Sequence, residues 1–319
     1  MTHFARTASF SVDLDGVDCY WRIHALPGRP DPSIRHVILR RCLPRFAELF
    51  ARMGIPATLF VVGSDVQDDA EGRAGLASLA ASGHELANHS QSHLYDLVRH
   101  PRAHIASEID RAHGSIGDCC GRAPTGFRAP GYEISADVIS LLCERGYAYD
   151  SSAFSSVPYY AAKTLVMASM RVRRQPSGSY LGSPFILTAP TEPYHPAAGD
   201  PYNPGNLPIW ELPMAVTPAL RLPVIGTSVV MAPEWLRHRL VAGALRRPFF
   251  NFELHGIDLA DAEADGFPPA LIARQPDLRR PLAQKRAALE ATISQAISAG
   301  FVFKTLVDVT RDLQRGRNS

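Results

Sequence analysis

Short apolar runs alternate with helical patterns along most of this chain. "ASFSVDL", "ATLFVVG" and "HELANHS" have the composition of strands, and "LPRFAELFARMG" places Phe46, Leu49, Phe50 and Met53 on one helical face before Gly54. Parallel strands need a crossover between them, and this is usually a helix, so the alternation predicts a parallel sheet. With roughly seven or eight strands, a closed or nearly closed (β/α) barrel is the expected architecture.

The alternation continues to the end of the chain. Ser135 is placed to cap the helix "ADVISLLCERG", and "YAYDSSAF" and "FFNFELHG" read as strands. A helix is expected from about Pro281 to Ala299, with Leu282, Leu289, Ile293 and Ile297 buried, followed by the strand "FVFKTL". We interpret residues 1–319 as one catalytic domain.

Residues 155–232 break this pattern. They are rich in Pro, Gly, Ser and Tyr, as in "APTEPYHPAAGDPYNPGNLP", and show no clear periodicity. Aromatic and apolar residues are interleaved throughout. We therefore predict an ordered insertion near the barrel mouth rather than a flexible linker.

Composition excludes several classes of protein. The chain has 46% hydrophobic residues and a net charge of +2, which is typical of a soluble globular protein and gives no reason to expect a nucleic-acid partner. The N-terminus lacks an apolar signal core and no run is long enough to cross a membrane, so a cytoplasmic location is expected. The cysteines show no CxxC spacing and are expected to be reduced; they are Cys19, Cys42, Cys119, Cys120 and Cys143.

Asp13 and Asp15 stand one residue apart at the end of the first predicted strand, in "SVDLDGVDCY". Three enzyme classes use such a pair: phosphatases of the haloacid dehalogenase type, metal-nucleotide glycosyltransferases and metal-dependent deacylases. A phosphatase also needs a lysine followed by an acidic pair, but the first lysine is Lys163 and "VGSDVQDD" precedes it. A glycosyltransferase would carry its Asp-x-Asp deeper in the chain.

Histidines follow a later strand, in "ANHSQSH". His89 and His93 are spaced i, i+4, so on a helix that begins after the strand both imidazoles would project from one face and could share a cation. Two histidines can reach this spacing by chance. However, strand ends of a parallel barrel meet at one rim, where active sites lie, and this favours a ligand role beside Asp13 and Asp15.

Three further residues follow predicted strands. Arg128, in "GFRAPGY", is either a surface charge or a guanidinium that orients a carboxylate. Asp150, in "YAYDSSAF", either caps its turn through an Asx-type bond or has a functional role. His255 closes the apolar strand "FFNFELHG" and should reach the same rim, unless it is a core or turn histidine.

In this order, the motifs Asp-x-Asp, His-x-x-x-His, Arg-x-Pro-Gly and Leu-His resemble those of the polysaccharide deacetylase family (carbohydrate esterase family 4, the NodB-homology domain). The resemblance runs from about Ser9 to Leu306 and implies a distorted (β/α) barrel. It implies a metal triad of Asp15, His89 and His93. It also implies catalytic roles for four residues. Asp13 would be the general base and Arg128 the residue that holds this base in place. His255 would be the general acid, and Asp150 the carboxylate that adjusts the acidity of His255.

The resemblance implies hydrolysis of an N-acetyl or N-formyl amide. One divalent ion is expected, zinc before cobalt, nickel, iron or manganese, and the Gly131 N–H is the expected oxyanion donor. Many members have adjacent aspartates, whereas Leu14 separates them here, as in relatives that act on unusual amides or lipid-linked sugars. Alternatives are therefore a lipid-linked sugar deformylase or deacetylase, a cyclic amide or ureide hydrolase, and a sugar-binding protein without activity.

The substrate is expected to be a small-molecule or lipid-linked sugar. Tyr132, Tyr159, Lys163 and Trp210 are candidates for shaping its pocket. The stretch "PEWLRHRLVAGALRRPFF" fits an ordinary barrel helix better than a helix that contacts a membrane peripherally. No oligomeric state is indicated.

Overall fold

A parallel sheet of eight strands forms the centre of the molecule, in a computed structural model that describes residues 6–172 and 180–318. The strand order is β6-β5-β4-β3-β2-β1-β7, and β8 pairs with the start of β1. The strands are β1 (Thr7–Asp13), β2 (Thr58–Val61), β3 (Glu85–Asn88), β4 (Gly126–Phe127), β5 (Tyr149–Asp150), β6 (Trp210–Glu211), β7 (Phe249–His255) and β8 (Val302–Phe303).

The sheet curls until its two outer strands lie side by side. The backbone N–H of Ala215, just after β6, donates to the carbonyl of Asn251 in β7 at 2.8 Å, and the Asn251 side chain donates to the Leu212 carbonyl at 2.9 Å. These bonds bridge the gap between strands that are not otherwise paired. The predicted distorted (β/α) barrel is therefore confirmed.

Helices surround the barrel. The apolar face predicted for α2 is buried at Phe46, Leu49 and Phe50, and Gly54 ends the helix with a φ of 65°. Ser135 caps α6 as predicted, since its hydroxyl accepts from the Val138 N–H at 3.3 Å. The helices are α1 (Val17–Ile23), α2 (Leu43–Met53), α3 (Gly63–Gln67), α4 (Ala70–Ala81), α5 (Arg102–Cys120), α6 (Ala136–Glu144), α7 (Val157–Val172), α8 (Gly226–Met231), α9 (Glu234–Ala244), α10 (Pro269–Ile272), α11 (Leu282–Ser298) and α12 (Leu306–Asn318).

Two helices test the predicted apolar stripes. In α11 the stripe is buried at Leu289 and Ile293, but Ile297 is half exposed near the helix end. The prediction for α9 as an ordinary barrel helix is supported, because Leu240 and Val241 are buried in the main core. None of the helices within the described residues is long and apolar enough to cross a bilayer.

Polar side chains fill the inside of the barrel. Residues of β1 and β7 pair in register, which sets Ser11 beside Glu253 and Asp13 beside His255. Successive side chains of a strand point to opposite faces, so Phe10 and Phe252, between the polar positions, join the apolar core beneath the helices. The two strands thus deliver a column of polar groups to the carboxyl rim.

The predicted insertion contributes ordered elements. It contains α7 and α8, and β6 within it joins the barrel sheet. Residues 173–179 of the insertion lie outside the described residues. All five cysteines are free thiols, as expected, with Cys19 and Cys42 buried.

Candidate functional site

Three ligand-type side chains converge at the carboxyl rim of the barrel. The Nε2 atoms of His89 and His93 lie 3.2 and 3.1 Å from the same oxygen, Oδ1 of Asp15. All three side chains are buried, and this oxygen has no well-directed hydrogen-bond donor among the residues that the structure describes. One carboxylate and two imidazoles that face a common point form a donor set suited to a divalent cation.

The helix predicted to carry the two histidines is not formed. Residues 89–94 are a compact loop in which Ser90 and His93 adopt positive φ values of 63° and 51°. The Asn88 carbonyl oxygen Oδ1 accepts from the Ser90 N–H at 2.8 Å, and the Ser90 hydroxyl accepts from the His93 N–H at 3.1 Å. These side-chain bonds replace helical backbone bonds. The two histidines therefore meet through a turn and not through the i, i+4 spacing of a helix.

Hydrogen bonds and burial determine the protonation of this donor set. His89 Nδ1 donates to the Arg128 carbonyl at 2.7 Å, so Nε2 is the ring nitrogen that faces Asp15. Burial would lower the pKa of His89, but the carboxylates of Asp13 and Asp15 raise it above its ordinary value. Burial lowers the pKa of His93, although the Asp15 carboxylate opposes this. Burial would raise the pKa of Asp15, but His93 and His89 lower it well below its ordinary value.

Asp13 is held by a buried guanidinium. Arg128 Nη1 donates to Asp13 Oδ1 at 2.6 Å and to the Ser11 hydroxyl at 3.0 Å. Nε and Nη2 of Arg128 donate to Ser151, and its guanidinium lies 4.1 Å from the centre of the Phe60 ring. Arg128 is thus fixed from several sides, and one Asp13 oxygen stays free of it.

His255 faces the same site from β7. Its Nδ1 lies 2.9 Å from Glu253 Oε1, and its Nε2 lies 3.2 Å from the Tyr132 hydroxyl. Burial would lower the pKa of His255, but the Glu253 carboxylate, with smaller effects of Asp15 and Asp13, raises it well above its ordinary value. His255 is therefore a protonated imidazole near neutral pH.

Asp150 does not reach His255, which differs from the expectation. Its carboxylate accepts from the N–H and hydroxyl of Ser152 at 3.3 and 2.8 Å, which is the Asx-type turn considered as the alternative. Burial, more than any other cause, raises the pKa of both Asp150 and its neighbour Glu211. Glu253 occupies the place beside His255 instead. The sequence signal was "FELH", since residues i and i+2 of a strand share a face.

A cavity of about 440 Å³ is lined by the metal-ligand candidates and the two proposed proton-transfer residues: Asp15, His89, His93, Asp13 and His255. Tyr132, Tyr159 and Lys163, which were predicted to shape the pocket, line its wall, as does Gly131, the predicted oxyanion donor. The sequence did not point to Tyr20 of α1, Tyr95 or Gln275, which also line the cavity; the last two lie in loops.

Trp210 does not line this cavity. It is 7% exposed at the start of β6, where it packs in an apolar cluster with Phe60 and Tyr149, and its ring centre lies 3.9 Å from that of His195. The structure therefore gives no support to a substrate role for Trp210 in this cavity. Trp210 is buried because its ring packs into this apolar cluster.

Fold and site together define a class: a parallel (β/α) barrel with a two-histidine, one-carboxylate centre at its carboxyl rim. Residues 36–149, which include both histidines and Arg128, match the family model described as polysaccharide deacetylase. This stretch of the chain is therefore similar to the polysaccharide deacetylase family.

Individual relatives show the same similarity. The chain is 29% identical over 159 residues to a peptidoglycan deacetylase of Helicobacter pylori (48% of this chain, 52% of the relative), and 32% identical over 108 residues to a chitooligosaccharide deacetylase of Bradyrhizobium (34% and 48%). It spans about half the length of these curated relatives. A solved structure of a candidate polysaccharide deacetylase from Mycobacterium smegmatis shares the fold, with a TM-score of 0.62 at 18% identity over 99% of this chain and 93% of that one.

Proposed function

We propose that this protein is a metal-dependent deacylase that hydrolyses an N-acetyl or N-formyl amide, on an amino sugar or a glycan biosynthetic intermediate. The observation that carries this proposal is the arrangement at the rim. A donor set for one cation lies between Asp13, fixed by Arg128, and His255, fixed by Glu253. The deacetylase relatives support the same reaction type.

Asp15, His89 and His93 would hold the cation, and zinc is the metal that this donor set suits best. When bound, such an ion acts as a Lewis acid and makes water a stronger nucleophile at neutral pH. Two hydrogen bonds within the protein orient these ligands. The Arg128 carbonyl accepts from His89 Nδ1, and the Ser90 hydroxyl accepts from the His93 backbone N–H.

Asp13 is the group that takes the proton from the attacking water. Its Oδ1 is bound by Arg128 at 2.6 Å, whereas Oδ2 lies 3.8 Å from His89 Nε2 and borders the cavity. The guanidinium holds Asp13 in one orientation, which a general base requires.

His255 supplies the proton that the departing amine needs. Its Nε2 carries this proton into the cavity beside the Tyr132 hydroxyl, while Nδ1 is held by Glu253. Gly131, which lines the cavity in the turn after Ala129, is placed to offer its N–H to the oxyanion of the tetrahedral intermediate. The steps thus use separate groups for the base, the acid and the oxyanion.

Metal analysis combined with an activity assay tests the proposal. The purified protein is expected to bind about one divalent ion per chain, and Asp15→Ala and His93→Ala are expected to lose it because each removes one of three ligands. Asp13→Ala should retain the metal and lose at least ~100-fold in kcat, since it removes the base but no ligand. A metal-free protein with full activity would contradict the mechanism.

A substrate screen separates the deacylase from its alternatives. Acetate and formate release would be measured with N-acetyl and N-formyl amino sugars in free, nucleotide-linked and lipid-linked form. Reaction only with cyclic amides or ureides would favour the ring-opening hydrolase. Binding of sugars with metal present, but no product from any class, would favour a sugar-binding protein.

A further inference from the structure

Helix α7 contributes a lysine, Lys163, to the cavity, and this positive charge has no role in the proposed mechanism. Tyr159 and Lys163, one turn apart on α7, both line the cavity. The Lys163 ammonium lies 3.4 Å from the Gly131 carbonyl, which is a long and weak hydrogen bond. The side chain is only partly exposed, so its charge is directed under the helix and toward the cavity.

Lys163 forms no ion pair within the part of the chain that the structure describes. Glu133 is the acidic residue that influences it most, but the Glu133 carboxylate is already engaged. It accepts from the backbone N–H groups of Gly182 and Ser183, and the Tyr202 hydroxyl lies 3.5 Å from it. Glu133 therefore anchors the chain beyond α7 and leaves the lysine ammonium with a weak partner.

The catalytic carboxylates do not need this lysine. Asp13 has its own cation in Arg128, and Asp15 faces the two imidazoles of the metal centre. On the cavity side, Tyr95 lies beside Gly131, close to the Lys163 ammonium, and Tyr132 also lines the cavity. A partly buried ammonium without a paired anion is costly, and a negatively charged ligand would compensate it.

We propose that the substrate of this protein is a small N-acyl compound that carries an anionic group, a carboxylate or a phosphate, and that Lys163 binds this group. The inference rests on the deacylase function proposed above and narrows its substrate class. A cavity of about 440 Å³ lies toward the small end of the range for ligand sites, ~300–1,000 Å³, which suits a compact substrate. The anion would anchor one end of the molecule while its amide reaches the rim residues.

A different role for Lys163 makes a different prediction. If the ammonium stabilised the oxyanion near Gly131, its loss would lower kcat for charged and neutral substrates alike. If it binds a substrate anion, its loss would raise KM for charged substrates only, because neutral ones never used the contact.

Binding measured without turnover tests the inference. In the Asp13→Asn background with zinc, calorimetry would give Kd for N-acetylmuramic acid against its methyl ester, and for N-acetylglucosamine 6-phosphate against N-acetylglucosamine. At least one anion is expected to bind about tenfold more tightly than its neutral counterpart, the typical gain from one hydrogen bond to a charged group. Lys163→Met should abolish this preference, and Lys163→Arg should restore most of it.

Lys304→Met is the matched control, because it removes the same charge from a lysine that pairs with Asp312 and does not line the cavity. It should keep the preference for the anion. Equal binding of all charged and neutral partners, a complete lack of binding, or a preference that survives in Lys163→Met would overturn the inference. Acetate release by the protein with Asp13 intact is measured separately, so failure of the deacylase proposal is distinguishable from failure of the anion site.

Discussion

Glu253 is a fully buried carboxylate whose surroundings define its role. Neither of its oxygens has a well-directed hydrogen bond among the described residues, and its Oε1 forms an ion pair with His255 Nδ1 at 2.9 Å. Asp13, Glu253 and His255 also have the geometry of a second metal group. A second cation is disfavoured, because Arg128 already lies 2.6 Å from Asp13 and would repel it. We therefore regard Glu253 as the residue that positions and charges His255.

Glu253→Gln should alter the pH dependence of the reaction. The general acid must be protonated, so activity falls as pH rises through the pKa of His255. The Glu253 carboxylate raises this pKa, and its neutral replacement would lower it. The alkaline limb of the kcat profile is therefore expected to move to lower pH, with a loss of about 10- to 100-fold in kcat at neutral pH and little change in KM.

Glu192→Gln provides the control for this measurement. It makes the same chemical change at a carboxylate that pairs with Arg247 away from the cavity, and it should leave the profile unchanged. An alkaline limb that stays in place in Glu253→Gln would show that Glu253 does not set the charge of His255.

At the scale of elements, the loop between β3 and α5 shows where sequence patterns stopped being informative. The histidine pair and its place after a strand could be read from "ANHSQSH", since residue types and order were sufficient. The backbone conformation of the loop could not be predicted from the sequence. It depends on hydrogen bonds of the Asn88 and Ser90 side chains, which replace helical backbone bonds. Asp150 and Trp210 were misplaced for a related reason: a position in sequence does not say which partner a buried side chain finds.

Substitution of Ser90 tests whether this loop holds the metal ligands. Ser90→Ala removes the acceptor of the buried His93 N–H and keeps a Cβ at a φ of 63°. We expect a loss of about 1–3 kcal/mol in the free energy of unfolding and a weaker affinity for zinc. Ser90→Gly also lacks the acceptor but tolerates the positive φ, so its loss should be smaller.

Chelator competition would measure the zinc affinity, and urea unfolding the stability, for both variants. If Ser90→Ala bound zinc as tightly as the native protein, the loop bonds would have no part in orienting the ligands. A larger loss in the glycine variant than in the alanine variant would contradict the role assigned to backbone strain.

At the scale of the whole molecule, the sequence predicted the parallel barrel because its strands and helices alternate with clear periodicity. The contacts that close the barrel could not be predicted, since β4, β5, β6 and β8 have only two residues each. Such short strands carry almost no periodic signal. The gap between β6 and β7 is bridged by a backbone hydrogen bond from Ala215 to Asn251 and by the Asn251 side chain, whose contribution depends on tertiary geometry.

Asn251→Leu should therefore destabilise the barrel more than an ordinary substitution. Asn251 Nδ2 lies 2.9 Å from the Leu212 carbonyl, 3.3 Å from the Pro213 carbonyl and 3.0 Å from the Ser151 hydroxyl, and all of these groups are inside the barrel. Leucine has a similar size but no donor, so the Pro213 carbonyl loses this partner and the Ser151 hydroxyl loses a donor that helps to hold it against Arg128. A decrease of about 2–4 kcal/mol in the free energy of unfolding is expected from urea titration.

Asn203→Leu makes the same replacement at an exposed position and should change the stability by no more than about 0.5 kcal/mol. Equal stability of the two variants would mean that the backbone bond from Ala215 to Asn251 closes the barrel by itself. A decrease confined to Asn251→Leu, with the slope of the urea transition unchanged, would mean that the side chain stabilises the folded barrel rather than altering the unfolded chain. Because Ser151 also holds Arg128, the same variant should reduce turnover before it unfolds, which links barrel closure to the orientation of Asp13.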